Sequence, residues 1–274
     1  MSNIYSSING VLVPAQTASV SIADLSIQRG YGIFDYFRTI NHQPVFLEEH
    51  LSRFYHSAKV MHLNVDMNHE QLKKIIRELI LKNNLPDSGI RITLTGGYSA
   101  DGYQIASPNL LITQSTFQYN NNNFNNGIRL ITYEHQRQLP QVKTIDYLKA
   151  IYLQPFIKEH QADDVLYHFR NEVCECPRAN FFIVNDQQQV VTASNNILRG
   201  ITREKVLGLR EFNTKEAIIT TQDLLTAREA FITSTTKNIL PVLEIDGRII
   251  GNGRPGKIST EIFRKILALK EEAE

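Results

Sequence analysis

One stretch in the middle of the chain limits what the rest can fold into. Residues 116–127 contain six asparagines and almost no apolar periodicity, a composition that marks a connection and not a packed element. The boundary it sets lies near residue 120. The expected organisation is an N-terminal domain over 1–118, a linker over 119–127 and a C-terminal domain over 128–274. A chain of 274 residues suffices for two modest domains with cores of their own.

Both halves mix strand and helix patterns. Asn9-Gly10 between apolar runs predicts a hairpin. Gly30-Tyr31-Gly32 precedes a strand over 33–40, and glycines there allow a sharp turn or a close backbone approach. Leu47, Leu51, Phe54, Tyr55, Ala58 and Met61 recur at helical spacing, with His50 and Arg53 sharing a face. A second helix is expected over 68–82, where Asn68 and Gln71 resemble a capping box. Strands over 89–95 and 110–113 flank a glycine-rich stretch at 96–102. Beyond the linker a strand is expected over 128–133 and one helix over 146–160. Further strands are expected over 165–170, 181–184, 217–220 and 230–234. A helix with hydroxyl capping is expected after Thr202, and a short one capped by Thr221. Asp246-Gly247 marks a last hairpin before a C-terminal helix.

Composition excludes several classes. The net charge of +1 gives no electrostatic footprint for nucleic acid or a membrane surface. No apolar run reaches the length of a membrane span, and the first twenty residues do not read as a signal peptide. Cys174 and Cys176 stand one residue apart, which suits neither a disulfide framework nor a zinc knuckle. No metal is expected, and a cytoplasmic location is.

The chemistry gathers around Lys143. It stands just before the expected helix, and Glu175-Cys176-Pro177-Arg178-Ala179-Asn180-Phe181-Phe182, Gly200-Ile201-Thr202-Arg203 and Thr233-Ser234-Thr235-Thr236 follow in order. Alone, each is a surface lysine, a loop carboxylate, an N-cap or a turn. Together they describe a holder for pyridoxal phosphate. That cofactor needs a lysine for the Schiff base, an acid facing the ring nitrogen, and amides and a cation for the phosphate. Lys143 supplies the first. Glu175, leading into an apolar strand, is drawn inward and needs a cationic partner. The turns at 200–202 and 234–236 supply amides and hydroxyls, and Arg53 a bidentate cation.

These motifs, with Arg29-Gly30-Tyr31-Gly32-x-Phe34-Asp35 and His50-Leu51-Ser52-Arg53-Phe54, resemble the class IV, fold-type IV aminotransferases over nearly the whole chain. The resemblance implies a two-domain α/β (α+β) fold, a small α/β domain plus a larger β-rich pseudo-barrel, with pyridoxal 5′-phosphate between them. It implies Lys143 as the Schiff-base lysine and Glu175 as the partner of the ring nitrogen. Arg53, Ile201, Thr202, Ser234 and Thr235 become the phosphate cup, and Tyr147 a neighbour of the ring hydroxyl. It also implies a homodimer with shared active sites that moves an amino group between an amino acid and a 2-keto acid.

Handedness turns on where the substrate carboxylate is held. The Cα–H must face Lys143, so exchanging the carboxylate and side-chain positions inverts the accepted amino acid. The candidate cations are Arg29, Arg38, Arg91 and Arg178, and the expected substrate-binding residues are Arg29, Arg91, Phe34, Thr236 and Arg178. Arg91 stands between Ile90 and Ile92 on a strand, with Leu94 expected on its own face. Well-studied D-amino-acid enzymes carry an Arg-x-His trap after this strand, where Thr95-Gly96-Gly97-Tyr98 stands, and a tyrosine at the position of Phe34. Branched-chain enzymes have Phe-Glu-Gly-x-Arg, partly matched by Phe34-Asp35-Tyr36-Phe37-Arg38. Aminodeoxychorismate lyases have a glycine-rich loop echoed by Gly97 and Gly102-Tyr103, and a threonine where Asp35 stands. The pattern is most similar to a variant group of D-amino-acid aminotransferases that use paired arginines. Branched-chain L-transamination and 4-amino-4-deoxychorismate lyase activity are the alternatives.

Overall fold

Asn9 and Gly10 both take positive φ, 50° and 87°, and so close a tight hairpin between β1 (Tyr5–Ile8) and β2 (Val11–Pro14). The structure is a computed structural model that describes residues 4–118 and 122–272. It forms two units, one from residues 4–118 with 142–146, the other from 122–141 and 147–272. The lysine segment at 142–146 thus packs with the first unit, although it follows the expected boundary in sequence.

After the hairpin the first unit continues with α1 (Leu25–Arg29), β3 (Gly32–Ile40), β4 (Gln43–Pro44), α2 (Leu47–Val60), α3 (His69–Asn83), β5 (Ser88–Thr95) and β6 (Leu110–Thr116). Its six strands form an antiparallel sheet in the order β2-β1-β6-β5-β3-β4. One face carries Ile33, Phe37, Ile90, Ile92, Leu94 and Ile112, packed with Leu51, Phe54, Leu72 and Ile76 of α2 and α3. The spacing of those helix residues is the apolar stripe read from the sequence. Asn68 and Gln71 make the reciprocal bonds of a capping box at the start of α3.

The second unit comprises α4 (Asn122–Asn126), β7 (Ile128–Glu134), α5 (Leu148–Tyr152), α6 (Gln154–Glu159), β8 (Asp164–Phe169), β9 (Glu172–Val173), β10 (Glu175–Cys176), β11 (Ala179–Val184) and β12 (Val190–Ala193). It ends with α7 (Ile201–Leu207), β13 (Thr214–Ala217), β14 (Glu229–Ser234), β15 (Asn238–Ile245), β16 (Arg248–Ile249) and α8 (Lys257–Glu271). Its ten-stranded mixed sheet runs β13-β12-β11-β14-β15-β7-β8-β9, with β10 on β11 and β16 on β15. The pairs β12–β13, β15–β7 and β7–β8 are parallel. Stacked Phe182 and Phe231, with ring centroids 4.9 Å apart, sit in a core that α7 and α8 share with β11 and β14. The mixed α/β architecture is the one expected.

Local expectations fail in instructive places. The helix expected over 146–160 is two short helices, because Pro155 has no N–H to continue the first and is accommodated near the start of the second. Gly200, not a hydroxyl residue, is the N-cap of α7, and Thr202 lies inside the first turn without a side-chain cap bond. The strand expected over 217–220 is the earlier β13, pinned by its parallel pairing with β12. Gln222, not Thr221, is the N-cap of the short turn Asp223–Leu225, and it is the Thr220 hydroxyl that accepts the Asp223 N–H, at 3.2 Å. Of the expected linker, residues 119–121 lie outside the described residues. Residues 122–126 form α4, whose Phe124 stacks on Phe263 at 4.3 Å.

Candidate active site

In the first unit, Lys143 is held by its main chain. The Phe34 N–H donates to the Lys143 carbonyl at 2.9 Å, and the Ile145 N–H to the Gly32 carbonyl at 3.1 Å. Thr144 bridges Ile33. The segment therefore lies on β3 as a short extra strand, not as the lead-in to a helix. Gly32 permits this approach: a Cβ there would fall 2.8 Å from the Leu94 carbonyl and 3.1 Å from Ile145 Cδ1.

Strand register decides what surrounds the lysine amine. Phe34 pairs with Thr93 and Tyr36 with Arg91, so these four side chains share one face of the sheet. Leu94 is on the opposite face with Ile90 and Ile92, which corrects its expected placement beside Arg91. Lys143 Nζ lies 4.5 Å from the Phe34 ring centroid, and the Arg91 Cζ lies 3.7 Å from the same centroid. Arg91 Nε also donates to Thr93 Oγ1 at 3.3 Å.

On the core face, Asp35 is fully buried and sits under α2. Arg53 donates to it in bidentate fashion, Nε at 2.8 Å and Nη2 at 2.9 Å, and His50 Nδ1 lies 2.7 Å away. Burial raises the Asp35 pKa, but the Arg53 and His50 charges and their hydrogen bonds outweigh it and hold the carboxyl well below the usual range. Burial lowers the His50 pKa, against the opposing pull of Asp35.

In the second unit, Glu175 pairs with Asn180 across β10–β11, and Asn180 with Thr233 across β11–β14, a polar row across three strands. Glu175 is 4 % exposed, yet its carboxylate accepts from Arg137 at 3.1 Å, from the Leu198 N–H at 3.0 Å and from Asn180 at 3.3 Å. Asn180 Nδ2 also reaches the Leu198 carbonyl at 2.7 Å, which ties the turn before α7 to this row. A Cβ at Gly200 would fall 2.2 Å from Asn180 Oδ1, so the turn comes this close only as glycine. Thr233 Oγ1, in the same row, is buried with no hydrogen-bond partner among the described residues.

The other expected site residues fall as follows. Ile201 and Thr202 are buried in the first turn of α7; Ser234, the last residue of β14, and Thr235 beyond it are half-buried, and Thr236 is exposed. Ser234 Oγ accepts the Lys237 N–H at 3.1 Å. Tyr147 is half-buried at the start of α5. Arg178 is exposed. Arg29 is exposed and donates to the Gly102 carbonyl at 3.1 Å. Sequence reasoning missed Arg137, Asp35 as the partner of Arg53, and Tyr167. Tyr167 is buried, and its phenol is pushed up by burial and then by the Asp164 charge, which keeps it protonated. For Asp35 a signal existed: an acid on the apolar face of a strand, facing a helix with His50 and Arg53 on one side.

A model of the family described as amino-transferase class IV matches residues 32–245. A D-alanine aminotransferase of Bacillus licheniformis is 31 % identical over 263 residues, 93 % of each chain. A putative branched-chain-amino-acid aminotransferase of Methanocaldococcus jannaschii is 31 % identical over 271 residues, 94 % of this chain and 93 % of that one. In fold, the chain is similar to the T.th. branched-chain amino acid aminotransferase solved with pyridoxamine 5′-phosphate. The TM-score is 0.90 at 24 % identity, covering 98 % of this chain and 95 % of that one.

Proposed function

This chain belongs to the class IV aminotransferases, and we propose that its amino donor is a D-amino acid and its acceptor a 2-keto acid. Its cofactor is pyridoxal 5′-phosphate, the coenzyme of this class. When bound, that group supplies an electron sink for the charge left as the substrate Cα–H bond breaks. The residues present fit it. Glu175 is buried yet given three donors, a buried acid of the kind that a cationic ring nitrogen would match. Thr233 Oγ1 in the same row still has bonding capacity to offer.

Lys143 Nζ is the group assigned to move the proton, taking it from the substrate Cα as base and returning it as acid. Its main-chain bonds to β3 fix where that amine starts from. The phosphate is assigned to Arg53, to the N–H groups and hydroxyls of Ile201, Thr202, Ser234 and Thr235, and the ring hydroxyl to Tyr147. Asp35 accepts from Arg53 Nε and Nη2 and so fixes the plane of the guanidinium.

The observation that carries the donor assignment is Arg91, a guanidinium on the same sheet face as the ring beside Lys143. A carboxylate held there, with Arg29 as second cation and Phe34, Thr236 and Arg178 around the substrate, sets the order of groups about Cα. The likeness to D-alanine aminotransferases supports the D order. The likeness to the archaeal protein supports a second reading, an L-branched-chain donor with the two positions exchanged. We further propose a cytoplasmic homodimer with shared active sites. Exposed Ile22, Ile27, Tyr98 and Tyr103 lie near Arg29 in the fold and would be covered by a second copy. Both cysteines are free and buried, and no helix among the described residues is long and apolar enough to cross a membrane.

The test is a half-reaction. Holoenzyme is mixed with D-alanine, D-glutamate, L-leucine or L-glutamate without acceptor, and the yellow absorbance band is followed. Bleaching by the D-amino acids alone is expected. Bleaching by L-leucine and L-glutamate instead would overturn the D assignment in favour of the second reading.

A further inference from the structure

Arg91 does not reach its position by itself. It is directly opposite Tyr36 in the β3–β5 register, yet its guanidinium lies over the ring of Phe34, the diagonal neighbour, with Cζ 3.7 Å from the centroid. Thr93, directly opposite Phe34, accepts from Arg91 Nε at 3.3 Å. The side chain is thus laid along the strand toward the glycine-rich end of the sheet and clamped there by a ring face and a hydroxyl. The same ring carries Lys143 Nζ at 4.5 Å. One aromatic side chain, itself 6 % exposed, therefore fixes the guanidinium and faces the proton-moving amine.

We infer that Phe34 is a positioning residue for substrate recognition: its ring, with Thr93, holds Arg91 where a substrate carboxylate is to be bound, at a set place relative to Lys143. An arginine free to swing would lose that setting, because a long side chain immobilised on binding costs conformational freedom that a pre-stacked one has already lost. A ring is needed for the electrostatic attraction, since an aliphatic residue of similar bulk has no quadrupole to face the cation. This inference rests on Arg91 as the carboxylate ligand.

Two ligands of nearly the same size, one anionic and one neutral, separate the possibilities: butyrate and butyramide, neither of which is an amino or keto acid that could react. Each is titrated against holoenzyme, read by the shift of the cofactor absorbance band, for the wild type and for Phe34→Leu, Phe34→Tyr, Thr93→Val and Arg91→Ala. Thermal melting of each variant checks that it is folded. Phe34→Leu is expected to bind butyrate roughly 3- to 30-fold more weakly relative to butyramide, the equilibrium equivalent of a cation–π contact, whatever contact both ligands share with the ring. Phe34→Tyr keeps butyrate binding near wild type, and Thr93→Val gives a smaller loss of the same selectivity. Equal losses for both ligands in Phe34→Leu, or none, overturn the inference. If Phe34→Leu does not fold, the selectivity of Thr93→Val decides. The assignment of Arg91 fails separately, if Arg91→Ala leaves butyrate binding unchanged. Selective loss in Arg91→Ala with none in Phe34→Leu sinks the role of Phe34 alone.

Discussion

Each unit buries a carboxylate beside an arginine, and the two sites are built to opposite ends. Asp35 is fully buried and spends both oxygens on Arg53, with His50 against one of them. Glu175 meets Arg137 through one oxygen and shares the other between an amide and a backbone N–H. The first arrangement neutralises a charge inside a core, where removing one partner strands the other. The second sets a carboxylate among a guanidinium, a side-chain amide and a backbone N–H on a row of paired strands. Two buried acids thus differ in how their donors are divided, and the roles proposed for them differ accordingly, a structural pin for Asp35 and a functional group for Glu175.

The contrast predicts different readouts for the two acids. Asp35→Ala removes the fully buried carboxylate from the partly buried Arg53 and from buried His50 and should cost about 3 kcal/mol of unfolding free energy, seen as a large drop in the urea midpoint. If the midpoint hardly moves, Asp35 is not the pin described. Glu175→Gln keeps the size and much of the hydrogen bonding and should cost less stability. It should slow the half-reaction on the order of 10²-fold, the scale of a lost preorganised charge, in single-turnover absorbance traces. A fully active Glu175→Gln would erase the distinction between the two acids.

A smaller effect separates them by pH. His50 has a folded pKa lowered by burial, so the unfolded chain binds its proton first. Stability conferred by the neutral ring is complete above the ordinary histidine pKa of about 6.5 and declines below it, by up to about 1.4 kcal/mol per pH unit. Asp35, whose folded pKa is depressed, adds a second decline that begins only below the ordinary carboxylate pKa of about 4. Urea midpoints measured between pH 7 and pH 5 should therefore fall, and His50→Gln should flatten that slope. An equal slope in the variant would remove His50 from the pin.

What the sequence made legible is what is encoded locally. The capping box at Asn68, the Asn-Gly hairpin and the apolar stripes of α2 and α3 depend on residues a few positions apart, and they stand as read. The expected helix after Lys143 fails on Pro155, which a stricter reading of the same local chemistry would have caught. Arg137 could not be found this way, because its partner Glu175 is 38 residues away and the fold alone unites them. The face of Arg91 was readable in principle from period-two alternation. Its stacking on Phe34 was not, since that depends on the register between β3 and β5.

The way Lys143 is fastened to β3 bears on how such enzymes diverge. Its position is set by two amide-to-carbonyl bonds, by the room that Gly32 leaves for Ile145 and by the buried Val142 side chain, none of which involves the side chains of Thr144 or Asp146. Mutation can therefore alter the side chains around the amine, and with them the preferred donor, while the amine keeps its starting point. A lineage built on this tether can explore new side chains around the lysine without first having to rediscover where that amine is held.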